Sequence, residues 1–491
     1  MTTETSTTVA NPNGTLSTTD YAKPVRTRRG TAWADLDTTL RRAADGTVAP
    51  AVTSSGLTVS GGGSGPLATI TTADGKKLAV TAPFALPVPS LAGDTATYAD
   101  VLPDVDLQLT ALPDGGWRDV IVVRTAAAAA NPKLKSLHFP VKTTGLSVAT
   151  DAAGNVSLKD AAGKVRLQAP TPFQWDSTPA PARKAAQASP QGRSGGDADE
   201  ASSAKGPGSG AKVGKIGIRA DSSGFDLTPD PATFGKGTGP WFIDPTISAD
   251  SASAMSAQVQ EYNPGTKYAD SVSNLGVGYC GYSDCTGYGR ERAYYRISIN
   301  SAIYNTPTGA PAAPTVYDST FYASVTGASS PSTSTPLGLY WTGAISSNTT
   351  WSNQPCNGSG TFGGCTKVGS SVPITGTGPI AFNVTSQMQQ AAANHSPDWT
   401  VGIAPDDENN KLYRKHLANN PHITTNYDLT PSIWYPRTSP TPGFASTNQH
   451  NDCQTPGGGY AWYNPGWVGA NQSMGLPPRR WTRVGLVMQP A

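Results

Sequence analysis

Charge is scarce in this sequence. Asp, Glu, Lys and Arg make up 14% of 491 residues, against roughly 25% in ordinary globular domains. The little charge present nearly cancels, with 36 basic and 34 acidic residues and a formal net of +2. No basic stripe stands out, which argues against nucleic acid as a partner, because phosphate binding needs clustered cations. Long apolar runs are missing as well. The longest candidate, Thr125 to Ala130, is an alanine tract, far short of the roughly 18 residues a spanning helix needs, so no membrane insertion is expected. The exposed-helix mixture of Leu, Glu, Lys and Ala is thin. No HExxH or P-loop pattern occurs, and the chain reads as a protein without enzymatic activity. Histidine is limited to His138, His395, His416, His422 and His450. The opening, Met1 to Ser6, has neither a basic nor an apolar signal region, so the expectation is a misplaced start or a fragment.

What replaces the missing charge is Ser, Thr, Asn, 53 Gly and 42 Pro. Such a surface stays in water through hydroxyls and amides, a style common in exported β proteins. The length predicts two to four domains. Cys280, Cys285, Cys356 and Cys365 fall as two close pairs without zinc-knuckle spacing. Local bridges, Cys280–Cys285 and Cys356–Cys365, are the simplest pairing, and cross-pairing of the two loops is the rival. Cys453 is left over, which points to a partner downstream. Disulfides imply an oxidising compartment, hence an extracellular or cell-surface location.

Along the chain, residues 1–24 are polar and predicted to be disordered. Residues 25–176 carry strand patterns punctuated by turns. Asp74-Gly75 supplies the positive φ of a hairpin, and Val105, Leu107 and Leu109 alternate with Asp106 and Gln108. Two near-copies, Asp151 to Gly154 and Asp160 to Gly163, each turn between short strands, the spacing of a β-meander. Residues 177–212 lack aromatics and large aliphatics and read as a flexible linker, with bridging strands over 213–245. In residues 246–429, Ala293, Tyr295, Ile297 and Ile299 form one face, and Ser319, Phe321, Ala323 and Val325 another. Ser386 to Asn394 is the one clear helix. It has Asn383 or Thr385 as cap and Val384, Met388, Ala391 and Ala392 inward. Many strands and one short helix predict an all-β protein, with an N-terminal β-meander or sandwich domain followed by a β-sandwich. Residues 430–491 are a Pro/Gly-rich tail or a truncated domain.

Residues Leu337 to Pro355, reading LGLYWTGAISSNTTWSNQP, resemble the DNRLRE-type β-sandwich family found in large secreted actinomycete proteins. Arg292 to Ile297 (RAYYRI), Ile380 to Ser386 (IAFNVTS) and Asn419 to Tyr427 (NNPHITTNY) strengthen the resemblance. Asp94 to Leu107 is similar to the region that precedes such sandwiches. The resemblance implies a galactose-binding-like sandwich. Some members of the family act as carbohydrate-binding modules, and others are spacers in Rhs-like or peptidase-bearing chains. The hallmark Asp-Asn-Arg-Leu-Arg-Glu string is absent, so no ligand residues carry over.

Candidate sites follow from side-chain chemistry. Tyr294, Tyr322 and Tyr340 lie on the polar-alternate faces of their strands, with Tyr282 and Tyr288 by the first cysteine pair. Tyrosines facing solvent stack on sugar rings and offer a hydroxyl beside them. Trp341 and Trp351 are expected in the core between sheets. Asp406, Asp407 and Glu408 form an oxygen-rich loop that could hold Ca²⁺, with a plain hairpin turn as the alternative. Apart from that Ca²⁺, no cofactor is implied. Asp100, Asp104 and Asp106 read as turn and strand-edge residues around Pro103, and His416 and His422 as surface histidines. The expected function is a secreted or cell-surface, non-catalytic binding or adhesion module, with polysaccharide as the partner. The alternatives are a structural stalk for downstream effector domains of a longer chain, and a polysaccharide-active enzyme.

Overall fold

The computed structural model describes residues 1–179, 201–208, 210–249, 255–268, 274–279, 289–305 and 314–429. These residues are mostly antiparallel strand, with three α-helices among them. The all-β expectation holds.

The first half of the chain builds two sheets around one core. The eight-stranded sheet runs by consecutive hairpins from Asp37–Arg42 to Lys77–Val80, and Leu137–Thr144, Gly224–Thr228 and Gly217–Ala220 then extend it. The larger sheet centres on Thr95–Leu102, Val105–Ala111 and Trp117–Val123. Alternation sets which side chains are buried: Val105, Leu107 and Leu109 share a core with Trp117, Ile121 and Val123, because successive strand residues point to opposite faces. The Ala73–Lys76 turn closes as expected, with Gly75 at φ 81 and the Gly75 N–H donating to Thr72 O. Both Asp-Ala-Ala-Gly turns form. Asp151 Oδ1 accepts from the Ala153 and Asn155 backbones, and Asp160 Oδ1 from Ala162 and Lys164.

Two boundaries need correction. Residues 177–212 are not a free linker where they are described. Ser202 Oγ donates to Asp176 O, and Lys212 N donates to Asp176 Oδ1. Ala204 and Ala211 pack in a small cluster with Trp175 and Phe242. A local polar anchor and one tryptophan therefore hold a segment whose own composition offers little to bury. The bridging strands of 213–245 are also part of the first body. Trp241–Asp244 pairs with Trp117–Val123 and Phe173–Trp175. Thr246–Ala249, expected to open the sandwich, pairs with Trp117–Val123 and Val165–Ala169 instead.

The second body is a sandwich made by one thirteen-stranded sheet folded on itself. Asn274–Tyr279 pairs with Lys415–Ala418 on one side and Arg290–Ser298 on the other. One layer contains Leu16–Tyr21, His422–Asp428, Thr315–Ala328 and Gly378–Asn383. The other contains Ser256–Gln260, Arg290–Ser298, Asp398–Pro405 and Ser334–Trp341. Between them lie Tyr295, Ile297, Phe321, Val325, Trp399 and Ile423. Each fully buried large apolar side chain of this kind contributes about 1.5–3 kcal/mol. The helix forms at Thr385–Ala393, with Met388, Ala391 and Ala392 buried and Val384 in the same core. Asn383 Oδ1 accepts from the Thr385 N–H at its start.

Residues 1–24 are not disordered. Ser6–Ala10 and Leu16–Tyr21 form a hairpin whose second strand pairs along the whole of His422–Tyr427. Asp20 is buried, and its Oδ2 accepts from the Asn300 N–H at 3.0 Å. The start of the chain thus completes a sandwich made otherwise of residues beyond 255. The two bodies also touch: Asn155 Nδ2 donates to Gly265 O at 3.0 Å, and Lys267 pairs with Asp151 at 2.9 Å.

Candidate functional site

The sandwich has two outer faces, and the three tyrosines divide between them. Tyr294 and Tyr340 stand on the outer side of the second layer, as alternation predicts, but they are not accessible. Tyr294 is 0% exposed and Tyr340 6%. The chain's own loop, closed by the Cys356–Cys365 disulfide, lies across them. Phe362 stacks on Tyr340 at 4.7 Å between ring centroids and meets Tyr294 edge-on at 5.2 Å. Its ring presses on Gly402, where a Cβ would lie 2.0 Å from it, so only glycine allows the approach.

A buried cation holds this loop in place. Arg292 forms a two-point ion pair with Glu408 at 2.7 and 2.8 Å, and also donates to Gln354 Oε1, Cys356 O and Gly360 O. Its guanidinium lies 5.1 Å from the Trp351 ring centre and 5.0 Å from that of Phe362. The Tyr294 hydroxyl donates to Gln354 Oε1 at 2.7 Å. Burial pushes the Tyr294 hydroxyl well above its ordinary pKa, and that of Tyr340 up to about 12. Tyr294 and Tyr340 therefore cannot form a sugar platform, because a covalently closed loop already fills the space above them. Trp351 is likewise not between the sheets; it packs half-buried against this outer cluster, while Trp341 does border the main core.

The Ca²⁺ loop is also corrected. Glu408 is committed to Arg292, and Asp406 Oδ1 accepts from Lys367 Nζ at 2.7 Å and Ser371 Oγ at 2.6 Å. Asp407 Oδ1 accepts from the Asn409 backbone within the turn. The three carboxylates serve different partners, and among the described residues no group of three His, Cys, Asp or Glu could hold a metal. Asp100, Asp104 and Asp106 are the turn and edge residues anticipated, gathered by Arg124. His416 lies half-buried on Lys415–Ala418. Cys280, Cys285, Cys453, Tyr282, Tyr288 and His450 lie outside the described residues.

Tyr322 is different. It is 37% exposed on the outer side of the first layer. The strand register places it opposite His422, which in turn stands opposite Tyr21. The rings follow that register: Tyr322 stacks on His422 at 5.0 Å and 21°, and His422 meets Tyr21 at 5.2 Å. Burial holds His422 below its ordinary pKa, so the row is uncharged at neutral pH. Beside it runs a hydroxyl row, Thr19, Thr424 and Thr320, with Thr19 and Thr424 bonded at 3.2 Å. A third row, Ser17, Asn426 and Asp318, follows, and Asn426 Nδ2 donates to Asp318 Oδ1 at 2.7 Å. An aromatic strip bordered by hydroxyls and amides on a sheet face can stack a ligand ring and hydrogen-bond its edge.

Tyr21 and the place of His422 in the aromatic row escaped the sequence reading. The strand Leu16–Tyr21 turns Thr18 and Asp20 inward, so its pattern lacks the apolar face that signals a strand. The signal available was the threonine content of the neighbouring segments, weak by itself.

No family model matches the chain, and no curated protein matches its sequence. Among solved structures, allantoicase aligns at 6% identity and a TM-score of 0.17, covering 64% of this chain and 82% of its own. A plant receptor-like kinase, ANX2, aligns at 9% identity and a TM-score of 0.11, covering 70% and 87%. Likenesses this slight carry no argument; the β-sandwich rests on its own strand pairing.

Proposed function

We propose that this chain is a non-catalytic module that binds polysaccharide on the outer face of its first sandwich layer. The observation that carries the reading is the Tyr21–His422–Tyr322 row on the outer face of a hydrogen-bonded sheet, with Tyr322 exposed and stacked on a half-buried His422 and Tyr21 tilted against its other side. A site on strands is preorganised, so little conformational freedom is lost on binding. Two buried carboxylates, Glu291 and Glu408, are each paired with an arginine, an arrangement that stabilises structure rather than one that protonates a glycosidic oxygen. The Cys356–Cys365 bridge supports an extracellular or surface setting. The DNRLRE-type resemblance is retained as part of this proposal.

The test is retention of the full chain on a panel of insoluble polysaccharides. The reading expects binding to at least one, weakened about tenfold or more by Tyr322→Ala, since central aromatic anchors typically contribute at least 1–2 kcal/mol. Failure to bind any polysaccharide would refute it. The stalk reading is favoured by one observation, the ordered junction where Phe173 stacks on Tyr268 and Lys267 pairs with Asp151. Silence across the panel would bring that reading forward.

A further inference from the structure

The binding face continues beyond the aromatic row to a β-bulge. On Thr315–Ala328, Val316 pairs with Tyr427 and Asp318 with Asn426, which leaves Tyr317 without an opposite residue. A bulge of this kind re-aims side chains. Val316 points into the core, Ser319 is buried, and Tyr317 and Asp318 both face outward, Tyr317 being 53% exposed. Without the bulge, strict alternation would have turned Tyr317 inward.

Tyr317 forms one wall of an open cleft of about 510 Å³, whose other walls are Asn11, Asn13, Thr15, Asp318 and Asn426. The N-terminal hairpin supplies half of it. Its polar groups are already oriented: Asn11 Nδ2 donates to Thr15 Oγ1 at 2.9 Å, and Asn13 Oδ1 accepts from Thr15 N at 3.1 Å. Asp318 is also the end of the third row of the binding face. Tyr322 lies four positions further along the same strand, about 13 Å away. Cleft and aromatic row therefore lie on one continuous surface.

The charge of that surface narrows the ligand. Leu16–Tyr21, His422–Asp428 and Thr315–Ala328 contain no lysine or arginine. Asp318 stands in the cleft itself, and its negative charge disfavours carboxylated or sulfated chains there.

We infer that the Tyr317 cleft is a second subsite, so that the module grips internal stretches of an extended, uncharged polysaccharide rather than chain ends or single sugars. This inference rests on the polysaccharide-binding reading above. Calorimetric titration of the full chain with linear β-glucan and chitin oligosaccharides, from disaccharide to hexasaccharide, tests it. Affinity is expected to rise with length. Tyr317→Ala should weaken the hexasaccharide about tenfold and leave the disaccharide unchanged, whereas Tyr322→Ala should weaken both. Unchanged thermal unfolding of Tyr317→Ala shows that the fold is intact. If affinity does not grow with length, or if Tyr317→Ala binds the hexasaccharide like the parent while Tyr322→Ala fails, the second subsite is refuted and the polysaccharide reading survives. If neither the oligosaccharides nor any polysaccharide binds, both are refuted.

Discussion

The two outer faces of the sandwich carry similar residues and reach opposite outcomes. Tyr294 and Tyr340 on one layer and Tyr322 on the other all occupy outward strand positions. On the second layer a disulfide-closed loop settles Phe362 over the sheet beside Trp351, and an arginine fastens the loop from beneath. On the first layer the outward positions bordering the aromatic row are mostly threonine, serine and asparagine, which offer a covering loop little apolar area to bury. Water therefore competes well for that face, and Tyr322 and His422 remain available. Outward alternation names a face; what lies above the face decides whether it can bind.

Several perturbations would break or sharpen this contrast. Arg292→Met should have the largest effect, because it strands Glu408 as an unpaired charge in a buried site. The expected loss is about 3–5 kcal/mol in chemical unfolding; a loss below about 1 kcal/mol would mean the loop is fastened elsewhere. The pair Cys356→Ser with Cys365→Ser should cost about 2–3 kcal/mol, the loop-closure entropy returned to the unfolded chain. Neither change should weaken polysaccharide retention, since the proposed binding face is the other one.

A smaller effect concerns the edge of the open layer. Burial raises the Asp20 carboxyl from 3.8 to about 6. The unfolded chain then loses this proton at lower pH than the folded one. Stability from this group is greatest below about pH 4, falls as pH rises towards 6, and stays lower above. Urea unfolding should show a decline of about 1–3 kcal/mol between those limits attributable to Asp20, and Asp20→Asn should flatten it. An unchanged slope in Asp20→Asn would remove Asp20 from the account. The smallest effect on stability is predicted for Tyr322→Ala, within about 0.5 kcal/mol. Tyr294→Phe should cost about 1 kcal/mol through its lost bond to Gln354.

Much of this fold is legible in the sequence where apolar residues alternate. Ala293, Tyr295, Ile297 and Ile299 point into the core as period two requires, and so do Phe321, Ala323 and Val325. The N-terminal hairpin was not legible, because Thr18 and Asp20 face the interior and find polar partners there. Thr18 Oγ1 donates to the Tyr427 hydroxyl at 3.2 Å, and Asp20 accepts from Asn300. Those partners lie hundreds of residues away, beyond the reach of any local pattern. The same limit hid the site. Tyr322 could be placed on an outward face from its own strand, but Tyr21 joins it only through strand pairing across His422. The cover over Tyr294 was equally invisible, since the Cys356–Cys365 spacing suggests a loop without saying where it rests. Completion of the sandwich by residues 6–21 also means that residues 246–429 by themselves lack an edge hairpin and half of the Tyr317 cleft.

The most direct test sets the two faces against each other in one measurement. Full-length parent, Tyr322→Ala and Tyr294→Phe are run by affinity electrophoresis through gels cast with a soluble neutral polysaccharide that retards the parent. The account predicts that Tyr294→Phe is retarded like the parent while Tyr322→Ala migrates freely. Loss of retardation in Tyr294→Phe with Tyr322→Ala unaffected would contradict it.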